Sequence, residues 1–148
     1  MLKTHMLRRV LGAGVAGLIM LVSSGTAQPT GDIILTVVGL ASDEEEVRFG
    51  LYATADAFAF GRGPAVAAGA CPVGHRRSVC RIPGVPYGVY AFLVGHDVNR
   101  DGQVSKNPLS DERKGASNYR QKFWTVPRFD AAKFVHQAEH TEVEVRVH

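Results

Sequence analysis

The chain ends in TEVEVRVH, Thr141–His148, and the stretch alternates without a break. Val143, Val145 and Val147 fall on one side, and Glu142, Glu144 and Arg146 fall on the other. Successive side chains of a strand point to opposite faces, so this period describes a half-buried β-strand and not an amphipathic helix. The period recurs upstream. DIILTVVGL (Asp32–Leu40) is rich in β-branched residues, EVRFGLYA (Glu46–Ala53) sets Val47, Phe49 and Leu51 on one face, and RSVCRIP (Arg77–Pro83) is short but strand-like. YGVYAFLVGHD (Tyr87–Asp97) is apolar on both faces, the pattern of a central strand covered from both sides. Gly and Pro clusters such as GRGP, IPGVPYG and NPLS separate these runs as turns or loops. No segment sustains a 3.6-residue period, and TADAFAF (Thr54–Phe60) has room for one helical turn. The expected fold is all-β, an antiparallel β-sandwich of about seven strands.

Residues 1–27 stand apart from this pattern. Lys3, Arg8 and Arg9 precede the apolar run Val10–Val22, and the small residues Gly25 and Ala27 follow it. That order is the order of a secretory signal peptide, and the run is shorter than the roughly 18 residues of a membrane-spanning helix. The sequence therefore predicts a signal peptide over 1–27 and one domain over 28–148, exported to the periplasm or beyond. Contact with the membrane is expected only through the signal. The leader holds three basic and no acidic residues, so 14 of the 17 basic and all 14 acidic residues lie in the mature part. Its balance is neutral, which removes the electrostatic argument for a nucleic-acid partner. Export also gives Cys71 and Cys80 a disulfide as their default state, and a redox pair or a zinc site with His75 is the alternative reading.

One loop carries the chemistry. In HDVNRDGQVSKN (His96–Asn107), Asp97, Asn99 and Asp101 recur at alternate positions, Gly102 follows, and Gln103 offers a backbone carbonyl. This is the donor order of the first half of a calcium loop. Val104 would pin the loop to the core, and Ser105 could ligate directly or through water. The twelfth position, where a bidentate Glu should close the shell, is Pro108, and a strand leads in where a helix should. The loop is therefore not an EF-hand. Asp111 and Glu112 are the nearest carboxylates that could close the shell, while Arg100, Lys106, Arg113 and Lys114 oppose a cation. A purely structural reading competes, because Asp, Asn and Gly build turns through side-chain bonds to nearby amides.

YGVYAFLVGHDVNRDGQVSKN followed by ERKGASN resembles the bacterial secreted family catalogued as domain of unknown function 2141. His96, Asp97, Asn99, Asp101 and Gly102 match its first element, Asn107 the next, and Glu112, Gly115, Ser117 and Asn118 the last. VPRFDAAKFV resembles a later segment of that family. Ser105 and PLSD depart from its pattern. The resemblance implies a secreted β-sandwich with no established activity, and it pairs Glu112 with the Asp97 loop. PGVPYGVYAF in turn resembles the entry to the central strand of transthyretin-like sandwiches, so the sandwich is expected to be immunoglobulin-like or transthyretin-like.

The resulting expectation is a non-catalytic binding or structural module with calcium as cofactor, held by Asp97, Asn99, Asp101, Gln103 and Glu112. His96, Asn118 and Trp124 are the expected ligand contacts, and an envelope protein or a glycan is the expected partner. His96 is read as a strand-end residue bonding the loop backbone. Tyr119, Phe123 and Trp124 are either core residues or a sugar-stacking platform. The alternative function is a cell-envelope enzyme or accessory subunit acting on glycan or peptide through Asp97, Asp101 and Glu112. HQAEH (His136–His140) matches an inverted zinc-protease signature, but it needs a helix, and the strand that follows leaves none. It is read as a solvated turn. The chain contains neither a Gly-x-Ser-x-Gly elbow nor a phosphate-cradling glycine loop.

Overall fold

The computed structural model describes residues 25–61, 63–104, 112–118, 120 and 126–148. Most of the expected signal peptide lies outside them, as do Ser105, Lys106, Asn107, Pro108, Asp111, Tyr119, Phe123 and Trp124. Among the described residues, no helix is long and apolar enough to cross a membrane. The strands are β1 (Thr30–Val38), β2 (Glu46–Tyr52), β3 (Ala67–Pro72), β4 (Arg77–Pro86), β5 (Gly88–Asp97), β6 (Lys114–Ala116), β7 (Phe134–His136) and β8 (His140–Arg146). Two four-residue helices, α1 (Ala55–Phe58) and α2 (Phe129–Ala132), complete the described elements, with a 3-10 turn at Ala59–Gly61. Thr54 caps α1 by accepting from the Ala57 amide at 3.2 Å.

The fold is an all-β sandwich of eight described strands, against an expectation of about seven. One sheet runs β4-β1-β8, and the other runs β3-β2-β5-β6 with β7 also on β5. The pairs are antiparallel except β1 with β8, which run parallel from Asp32↔His140 to Val38↔Arg146. The inner faces are those the alternation marks. Ile33, Leu35 and Val37 of β1 meet Val47 and Leu51 of β2, Tyr90, Phe92 and Val94 of β5, and Val143, Val145 and Val147 at the end of the chain.

Both open sides of the sandwich are stitched. Lys114 and His148 exchange backbone hydrogen bonds at 3.3 and 3.0 Å, joining β6 to the residues after β8. Gly115 makes this approach feasible, because a Cβ there would stand 2.4 Å from the Arg146 carbonyl oxygen. On the other side, the Cys71–Cys80 disulfide joins β3 to β4, and Ser78 Oγ donates to the Pro72 carbonyl at 2.9 Å. Closing the sides in this way covers strand edges that would otherwise template pairing with other chains.

β5 is buried on both faces, as its sequence predicts. Its outer face carries a second cluster of Tyr52, Ala57, Phe58, Ala91, Ala116 and Ala132, covered by α1 and α2. Ser117 ties this layer down, since its hydroxyl accepts from the Phe92 amide at 2.8 Å and donates to the Ala132 carbonyl at 2.7 Å. His136 does not lie in a solvated turn. It is fully buried on β7, with Nε2 3.1 Å from the Val85 carbonyl and Nδ1 2.6 Å from Thr141 Oγ1. A carbonyl can only accept, so Nε2 carries the proton and Nδ1 accepts from the hydroxyl. His140 begins a different strand and is exposed, so no helix joins the two histidines.

An exposed ion pair gives the fold a dependence on acid. Arg81 Nε and Nη2 donate to Asp32 Oδ2 at 2.8 and 2.5 Å, and the Gly84 amide donates to Oδ1 at 3.1 Å. The Arg81 hydrogen bond, then the Gly84 amide, hold the Asp32 carboxyl below its usual value of 3.8. A carboxyl depressed in the folded state contributes stability above its unfolded value, and that contribution disappears as pH falls through the folded value. Denaturant unfolding of Asp32→Asn should therefore show a shallower loss of stability than wild type on acidification below about pH 4. Equal slopes would remove Asp32 from the account.

Candidate functional site

The loop after β5 folds back over the outer face of the five-stranded sheet. Gly95 permits this, because a Cβ on it would come within 2.2 Å of Val104 Cγ2. Val104 thus pins the loop to the sheet's outer surface. Two residues with left-handed backbone, Arg100 (φ 56) and Gly102 (φ 81), flank Asp101 and turn the chain. A ladder of side-chain bonds holds the turn. Asn99 Oδ1 accepts from the Asp101 amide at 3.0 Å, Asp101 Oδ1 accepts from the Gln103 amide at 2.8 Å, and Asn99 Nδ2 donates to Asp101 Oδ2 at 3.0 Å. These are Asx bonds, and they make the loop a self-supporting turn.

Asp97 closes the base of the loop and is fully buried. Two donors share one of its oxygens: Arg48 Nε at 2.9 Å and the Gly102 amide at 3.0 Å both reach Oδ2. The other oxygen, Oδ1, has no hydrogen-bond partner among the described residues. Burial alone pushes this carboxyl up, but the Arg48 hydrogen bond, the Gly102 amide and the guanidinium charge pull it below the usual carboxylate value. The group is therefore an anion at neutral pH.

Glu112, also buried, arrives just before β6. One oxygen each from Asp97, Asp101 and Glu112 can be chosen so that all lie within 4.8 Å of one another. Lys114 lies near enough to feel the Glu112 charge. Burial pushes the Lys114 ammonium down from the usual lysine value, and Glu112 partly restores it. The structure thus brings together three carboxylates that the sequence set up to 15 residues apart, with Asn99 and Gln103 in the same turn. A carboxylate offers about four lone-pair sites, so the Asx bonds of Asp101 leave capacity for a cation.

His96 and Asn118 lie apart from this group. His96 neighbours Asp97 on β5, so strand alternation sends its ring to the opposite, inner face. The ring is fully buried, and its Nε2 stands 3.5 Å from Glu45 Oε2. Among the described residues its ring nitrogens make no hydrogen bond, and its main-chain amide donates to the Arg113 carbonyl at 2.8 Å. Asn118 is exposed in a left-handed turn (φ 51), and its Nδ2 donates to the Lys133 carbonyl at 2.9 Å. Trp124 lies outside the described residues. Cys71 and Cys80 form the expected disulfide.

Arg48 escapes a reading of the sequence alone. Alternation along β2 puts Glu46 and Arg48 on the outer face, but only the β2–β5 register brings them beside Asp97. Arg48 Nη2 also pairs with Glu46 Oε1 at 2.6 Å. A groove of about 300 Å³ next to the loop is lined by Glu45, Glu46, Ala70, Cys71, Pro72 and Arg100.

These features define a small β-sandwich with a buried-carboxylate loop at the end of its central strand. A family model described as "Uncharacterized protein conserved in bacteria (DUF2141)" matches residues 35–144, and the chain belongs to that family. Neither the curated proteins nor the solved structures contain a match to it.

Proposed function

We propose that the protein is an exported, non-catalytic binding or structural module whose Asp97–Gln103 loop, closed by Glu112, takes a calcium ion. One observation carries this reading. Asp97 is fully buried, its Oδ1 has no hydrogen-bond partner among the described residues, and one of its oxygens lies within 4.8 Å of an oxygen each of Asp101 and Glu112. A buried acceptor left without a partner is costly, and an oxygen-liganded cation removes that cost. Hard oxygen donors at alternate loop positions suit calcium better than a thiolate- or imidazole-seeking metal. Export is supported by the leader pattern and accords with the disulfide.

The test is calorimetric titration of calcium into the purified protein beside an Asp97→Ala, Asp101→Ala variant. Wild type should bind one equivalent with an affinity of about 10⁻⁴–10⁻³ M, the range of extracellular modules, and the variant should give dilution heats only. Identical heats from the two proteins would discard the site.

A further inference from the structure

We infer that Arg48 is the resident counter-ion of the loop and sets how weakly it holds a metal, an inference that rests on the calcium reading above. The guanidinium lies against the turn itself, because a Cβ on Gly102 would stand 3.4 Å from Arg48 Nη2. Its Nε takes Asp97 Oδ2 and its Nη2 takes Glu46 Oε1, so both ends are tethered. Together with the Gly102 amide it occupies Oδ2 of Asp97, while Oδ1 has no donor among the described residues. This arrangement has two opposed consequences.

With no metal bound, Arg48 neutralises the buried Asp97 anion, and the Asx ladder keeps the turn in shape. The loop does not need a cation in order to fold. A dication entering at Oδ1 must then share one carboxylate with a guanidinium, and like charges across a single carboxyl group repel at short range. Lys114, near Glu112, adds to that repulsion. The side chain that prefolds the site therefore also weakens it. Affinity falls to a level at which occupancy follows the surrounding calcium concentration instead of remaining saturated.

The expected effect of removing the charge has a sign that a merely structural Arg48 would not produce. Arg48→Gln should bind calcium about tenfold more tightly than wild type, since the fixed positive charge is gone. The metal-free variant should melt at a lower temperature, and calcium should raise its melting temperature by more than it raises that of wild type. Arg48→Lys keeps the charge and should stay within about twofold of the wild-type affinity. Calorimetry and thermal melts of wild type, Arg48→Gln and Arg48→Lys, with calcium chloride as the probe up to about 10 mM, read all three. If wild type binds calcium and Arg48→Gln binds equally or more weakly, the role assigned to Arg48 is wrong and the calcium site stands. If none of the three proteins responds to calcium, the site itself is wrong, and the inference falls with it.

Discussion

Replacing Phe92 by alanine should lower the free energy of unfolding by about 3–5 kcal/mol. Phe92 is fully buried at the centre of β5, edge-on to Phe49 at 6.1 Å between ring centroids and stacked on Phe134 at 5.6 Å. It therefore joins β2 and the β7 strand to the middle of the core. Its amide, bonded to Ser117, also ties the inner layer to the outer cluster under α1 and α2. The cavity cannot collapse easily, because its neighbours belong to hydrogen-bonded strands on both sides. A domain of this size has a total stability of roughly 5–15 kcal/mol, so the loss is a large fraction of it. Chemical denaturation followed by circular dichroism measures the effect. A change under about 1 kcal/mol would mean that the two sheets are not held through this residue.

Removing the disulfide should have the next largest effect on stability. Cys71 and Cys80 are nine residues apart, and constraining so short a loop in the unfolded chain is worth about 2–3 kcal/mol. The bond also closes one side of the sandwich, between β3 of one sheet and β4 of the other. Paired Cys71→Ser, Cys80→Ser substitutions should thus lower stability by about that amount and leave β3 more open to hydrogen exchange than β1. Uniform exchange across both strands would contradict the role given to the bond as a side clasp.

The strands legible in the sequence are those whose burial is one-sided or complete along their length. β8 and the residue after it show three inward valines, β1 alternates into the core, and β5 is apolar on both faces up to Gly95, where the helices of the outer layer cover its second face. β3, AAGACP, contains no β-branched residue and is defined by its hydrogen bonds to β2. β6 and β7 have three residues each, too few to show a period. The parallel pairing of β1 with β8 leaves no local signature either, since both strands read the same in either direction.

The site divides in the same way. Asp97, Asn99, Asp101 and Gly102 are legible because a turn of this kind is built from neighbours in sequence. Glu112 is legible through the family pattern that ties it to the loop. Arg48 and Glu46 are not legible, because they reach Asp97 only through sheet register, 49 residues away in the case of Arg48. The ring of His96 was expected near the loop backbone, and strand alternation alone sends it to the other face. His136 looked like part of a polar turn, yet the β5–β7 pairing buries it and Thr141 and Val85 satisfy both nitrogens.

The proposed calcium site is tested most directly by the crystal structure of the protein grown in about 10 mM calcium, a concentration above the usual affinity range of extracellular sites. The expected result is one ion bonded to Asp97 Oδ1, Asp101 and Glu112 at about 2.3–2.6 Å, with Arg48 still on Oδ2. Oδ1 left without a ligand at that concentration, in a turn held only by its Asx bonds, would contradict the account.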